Sequence, residues 1–65
     1  MKLSVPDMSC EHCATAVRNA IRSVDPDADA SVDLGGKTVS VRTVAAEADI
    51  LSAVHDAGYE EARIA

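Results

Sequence analysis

Two thiols and an imidazole fall within the run Met8-Ser9-Cys10-Glu11-His12-Cys13. Two residues separate Cys10 from Cys13, so the sulfurs can meet without closing a large ring. A thiolate is a soft ligand. Two of them in one open loop suit Cu(I), which accepts two or three soft donors. Zn(II) usually takes about four ligands, and a structural zinc site draws all of them from protein. The chain has no second cysteine pair and no distant histidine pair at zinc-finger spacing. A closed zinc site within one chain is therefore not expected. A Cys-x-x-Cys pair also suits thiol–disulfide exchange, although the scaffold that commonly carries that chemistry is a larger α/β fold. Metal binding and redox exchange both stay open at this point, with metal favoured.

The rest of the composition narrows the classes. At 65 residues the chain has room for one small domain, spanning 1–65, and hardly for a large enclosed substrate cavity. Its apolar residues make up 48% but are small, mostly Ala and Val, with Tyr59 the only aromatic. That argues against disorder and for a thin stability margin. The net charge is −5, with no basic cluster and no aromatic platform, so nucleic acid is excluded as a partner. The acids concentrate in Asp25-Pro26-Asp27-Ala28-Asp29 and at Asp33, Glu60 and Glu61, where they read as a solvated surface. No apolar run approaches the roughly 18 residues of a membrane helix. The first residues lack the apolar core of a secretory signal. A cytoplasmic protein without membrane insertion is expected, and there a close cysteine pair favours metal or redox chemistry over a structural disulfide.

The elements that position the cysteines follow from hydrophobic periodicity. Leu3 and Val5 alternate in a strand over Lys2–Pro6 that Pro6 stops. Asp7 to His12 reads as a polar loop. From Cys13 the spacing becomes helical, with Val17, Ala20, Ile21 and Val24 on one face and Pro26 ending the helix. Free N–H groups and the dipole at that helix start favour thiolate over thiol. Ala30, Val32 and Leu34 mark a second strand, Gly35-Gly36 a hairpin turn, and Val39 and Val41 a third strand. Ala46, Ile50, Ala53, Val54 and Ala57 form the stripe of a second helix, with Gly58 as its stop. Ala62 and Ile64 suggest a short final strand. The order β-α-β-β-α-β predicts an α+β, ferredoxin-like sandwich: a four-stranded antiparallel sheet with two helices on one face. In that topology the cysteine loop, the hairpin and Gly58-Tyr59 share one end, and the last strand lies beside the first. Tyr59 is therefore expected near the cysteines.

With Met8-x-Cys10-x-x-Cys13 between the first strand and first helix, and Ala57-Gly58-Tyr59-Glu60 before the last strand, the whole chain resembles the heavy-metal-associated domain family. It is similar in particular to the free-standing bacterial copper chaperones of that family. Asp7 departs from the pattern, since glycine commonly precedes the methionine. The resemblance implies that Cys10 and Cys13 hold Cu(I) and that Met8 packs inward beneath the loop. It implies that Tyr59 stands beside the site, screening it or donating to sulfur. His12 is expected to face solvent, with a third-ligand or metal-bridging role as the alternative. His55 reads as surface, and Arg18 and Arg22 as solubilising charges on the outer side of the first helix.

The function so implied is a cytosolic Cu(I) chaperone, not an enzyme. It would pass its ion by thiolate exchange to a copper-transporting P-type ATPase or a copper-responsive regulator. Because copper can bridge two open sites, both an apo monomer and a metal-bridged dimer are compatible with the sequence. Relatives that handle Zn(II) often carry an acid beside the first cysteine, where this chain has Ser9. Zn(II), Cd(II) or Hg(II) are thus the same-class alternatives, a thiol–disulfide protein the alternative of a different class, and a purely structural interaction domain the third.

Overall fold

A computed structural model describes residues 1–65. It has the elements β1 (Lys2–Ser4), α1 (Glu11–Val24), β2 (Asp29–Asp33), β3 (Thr38–Arg42), α2 (Glu47–Asp56) and β4 (Arg63–Ile64). The strands form one sheet in the order β2-β3-β1-β4, and every neighbouring pair is antiparallel. This is the ferredoxin-like sandwich that the residue pattern predicts. The last strand pairs with the first through Leu3 with Ile64 and Ser4 with Arg63.

The core is built from small side chains, as the composition requires. Leu3, Val39 and Val41 contribute from the sheet, Val5 from just beyond β1, Ala14, Val17 and Ile21 from α1, and Ile50 and Val54 from α2. The helix positions recur at spacings of three and four, the repeat that keeps one face against the sheet. No polar side chain is buried. At the end away from the cysteines, the Thr43 hydroxyl donates to Asp25 Oδ2 at 2.6 Å and accepts from Ala45 N–H at 3.0 Å. That contact, ahead of the Asp27 N–H, holds the Asp25 carboxyl below its usual pKa. It ties the exit of α1 to the chain entering α2.

Several boundaries differ from expectation. The first helix begins at Glu11, with Cys10 as its extended N-cap, so Cys13 lies inside the first turn instead of opening the helix. Strand β1 stops at Ser4, two residues short of Pro6. Val24 is 37% exposed and Ile64 41% exposed; each is the last residue of its element. Ala46 and Ala57 likewise cap α2 from outside and are exposed.

The hairpin turn spans Leu34 to Lys37, and its left-handed residue is Lys37 at φ 54°, not a glycine. Gly36 is useful there for another reason. A Cβ on it would come 3.0 Å from the Asp33 carboxylate, which accepts the Gly36 N–H at 3.1 Å. The turn is joined to the cysteine end of the fold: Val5 N–H donates to the Lys37 carbonyl at 2.8 Å, and the Lys37 ammonium donates to the Pro6 carbonyl at 3.3 Å.

Candidate metal centre

Local structure presents Cys10 and Cys13 as neighbours. The Met8 amide donates to the Val5 carbonyl at 3.0 Å, turning the chain sharply after β1. Met8 is fully buried, an apolar plug that anchors the loop from below. The anchored loop then enters α1 through Cys10, whose carbonyl accepts the Ala14 N–H at 3.0 Å. Both cysteines are free; Cys10 is exposed and Cys13 half-exposed. Their Sγ atoms lie 3.7 Å apart.

That separation suits one shared ion. With metal–sulfur bonds of about 2.3 Å, two sulfurs lie about 3.7 Å apart at a tetrahedral angle and about 4.6 Å apart in a straight line. The pair thus stands at the bent limit, and exposed side chains can open toward a linear arrangement. No third Cys, His, Asp or Glu side chain gathers with them. His12 is exposed and lies with Glu11, Thr15, Ala16 and Asn19 along the outer face of α1. Arg18 is also on that helix, 4.0 Å from Glu11.

Tyr59 reaches the pair from the far end of the sequence. Helix α2 ends in a Schellman arrangement: Tyr59 N–H donates to the Val54 carbonyl at 3.3 Å and Gly58 N–H to the His55 carbonyl at 3.0 Å. Gly58 sits at φ 109°, a conformation that costs a side-chain-bearing residue dearly. This reversal delivers the half-buried Tyr59 ring against the core, beside Cys13.

The electrostatic effect falls on Cys13, whose thiol is lowered from 9.0 to about 7. The nearby Tyr59 hydroxyl is the largest cause, followed by the Ser9 backbone and the Cys10 side chain. The phenol approaches loosely, outside the geometry of a direct hydrogen bond, whereas the sulfur–sulfur contact lies within it. The same interaction raises the pKa of Tyr59, with burial adding to it. The helix start was expected to favour thiolate and Tyr59 to stand beside the site; the phenol is the leading influence on Cys13.

His55 corrects the sequence reading. Its ring is half-buried, with Nε2 2.6 Å from the Ala62 carbonyl. The periodic pattern set it beside the apolar stripe of α2 but gave no sign of a partner seven residues ahead.

The comparisons agree with this geometry. The profile of the Heavy-metal-associated domain matches residues 2–60. The copper chaperone CopZ of Staphylococcus aureus is 36% identical over 61 residues, covering 89% of this chain and 90% of the relative. Copper chaperone Atx1 from Synechocystis PCC6803 superimposes with a TM-score of 0.89 at 37% identity, covering 91% of this chain and 94% of the other. A gold binding protein superimposes at 0.87 with 30% identity, covering 91% of each. Fold and sequence thus converge: the chain belongs to the heavy-metal-associated domain family.

Proposed function

We propose that the protein is a cytosolic copper chaperone that holds Cu(I) between Cys10 and Cys13 and surrenders it by ligand exchange. One observation carries the reading: two free sulfurs 3.7 Å apart at the solvent-facing start of α1, with no further ligating side chain gathered around them. Two thiolates satisfy Cu(I) but leave Zn(II) short of its usual coordination. The names of the similar proteins, copper chaperones among them, support the same ion.

The mechanism follows from the openness of the site. A partner's thiolate can attack the bound ion from solvent while both Cys10 and Cys13 remain attached. A three-coordinate intermediate forms, one original bond breaks, a second partner thiolate displaces the remaining cysteine, and the ion moves without ever being bare. Cys13 contributes a low proton cost, because with a pKa of about 7 it is partly ionised at neutral pH. Met8 holds the loop in place from the core. No bond in a substrate is made or broken, so the activity is transport, not catalysis. The recipient proposed is a copper-transporting P-type ATPase or a copper-responsive regulator, and the apo protein is a monomer that copper can bridge.

The test is an anaerobic titration of the reduced protein with Cu(I) against a chromogenic Cu(I) chelator, with Zn(II) run in parallel. Stoichiometric capture of Cu(I) from the chelator is expected. Tight binding of Zn(II) with Cu(I) left on the chelator would move the assignment to zinc. Binding of neither ion would leave thiol–disulfide exchange as the reading to pursue.

A further inference from the structure

We infer that His55 is a positioning residue that fixes Tyr59 over the cysteine pair. Its significance for metal exchange rests on the copper reading above, but its structural part does not.

Tyr59 opens the connection between α2 and β4, residues 59–62. The upstream end is set by the helix cap, where the His55 carbonyl accepts the Gly58 N–H at 3.0 Å. The connection is closed as a turn by the Ala62 N–H, which donates to the Tyr59 carbonyl at 3.1 Å. Its downstream end is held by the same histidine: Nε2 of His55 lies 2.6 Å from the Ala62 carbonyl in a partly buried setting. A carbonyl only accepts, so Nε2 carries the proton and donates. One residue therefore grips both ends of the segment, through its backbone at Gly58 and its ring at Ala62. Between these anchors Glu60 and Glu61 are exposed, and strand β4 adds only two residues of pairing beyond them. Without the ring, Ala62 loses its side-chain partner. The turn that places Tyr59 beside Cys13 then keeps the helix cap, its own Ala62–Tyr59 hydrogen bond, the core packing of Ala62 and Tyr59, and a two-residue strand, with no side chain holding its downstream carbonyl.

The test exploits Tyr59 as the only aromatic residue. Its fluorescence in the reduced, metal-free protein reports its own exposure through quenching by acrylamide. Wild type is compared with His55→Ala, His55→Asn and His55→Gln. The Gln amide nitrogen reaches about as far as Nε2, whereas Asn falls short while keeping polarity. The Stern–Volmer constant is expected to rise about twofold in the Ala and Asn variants, as in a locally opened segment, and to stay at the wild-type value in Gln. Far-UV circular dichroism identifies folded variants, and the Asn–Gln contrast suffices if Ala does not fold. An unchanged constant in Ala and Asn, or an equal rise in all three, would overturn the inference.

A second arm follows Cu(I) release to the chelator. His55→Ala is expected to change the release rate in the Tyr59 background and not in Tyr59→Phe, because the histidine acts through the phenol. An equal change in both backgrounds would reduce His55 to a general stabiliser. If the wild type does not bind copper, the copper reading fails, while the quenching result still decides the placement of Tyr59.

Discussion

Replacing Tyr59 by Phe keeps the ring against the core and removes only the hydroxyl. Cys13 in the intact protein has a pKa of about 7 against an ordinary 9.0. At pH 7 that means about half of the Cys13 population is thiolate, against about one per cent for an unperturbed thiol, roughly a fifty-fold enrichment. Tyr59 is the largest of the influences that lower it; the Ser9 backbone and Cys10 remain when it is gone. The midpoint should therefore rise above 7 in Tyr59→Phe and stop short of 9.0. The first full unit of that rise removes about five-fold of the thiolate present at pH 7, and the second about nine-fold more.

The assay is pulsed iodoacetamide alkylation of the metal-free protein across pH 6 to 10. Fragment-ion mass spectrometry places each label on Cys10 or Cys13. The midpoint of the profile is the readout, because intrinsic nucleophilicity falls along with the pKa and compresses absolute rates. The linkage sign is fixed as well. A depressed folded-state pKa stabilises the fold fully above the unfolded value of 9.0, and that contribution is lost as pH falls toward 7. A Cys13 midpoint near 9 in the wild type, or superimposable profiles for wild type and Tyr59→Phe, would refute the reasoning.

Two further outcomes follow from the packing. Met8→Ala empties a fully buried position and should cost about 2–4 kcal/mol in urea unfolding. It should nevertheless leave the Cu(I) stoichiometry intact in folded protein, because the methionine is packed in the core. Thr43→Val removes the donor at 2.6 Å from Asp25. The Asp25 pKa is depressed, so its stabilisation is present above the ordinary carboxylate range and lost as pH falls through the folded value. The variant should be less stable than wild type at pH 7, and the gap should narrow in acid denaturation below pH 4.

Legibility in the sequence tracked how local each cause is. The alternation of Leu3 with Val5 and of Val39 with Val41, and the helical spacing of Val17 and Ile21, were enough for the strand and helix order. The antiparallel topology then brought Tyr59 to Cys13 across 46 positions of sequence. The cysteine pair was visible for the same reason, since its spacing is its geometry. Effects that depend on a partner elsewhere were not visible. His55 looked like a surface residue because its acceptor is a backbone carbonyl, which every residue type carries alike. The hairpin was expected to turn on Gly35-Gly36, yet Lys37 took the left-handed conformation. Its backbone and ammonium are both used to tie the hairpin to Val5 and Pro6. Helix α1 begins two residues before Cys13, and that start is unmarked in the sequence because Cys10, a poor capping residue by type, serves as N-cap without a side-chain hydrogen bond.

The central claim is that two thiolates, and no other side chains, hold the ion. Cu(I) bound per chain against a competing chelator should therefore be measured for Cys10→Ser, Cys13→Ser and His12→Ala beside the wild type. One Cu(I) per chain is expected for wild type and His12→Ala, and loss of the ion to the chelator for each serine variant. Retention of Cu(I) by either serine variant, or its loss from His12→Ala, would contradict the two-thiolate site.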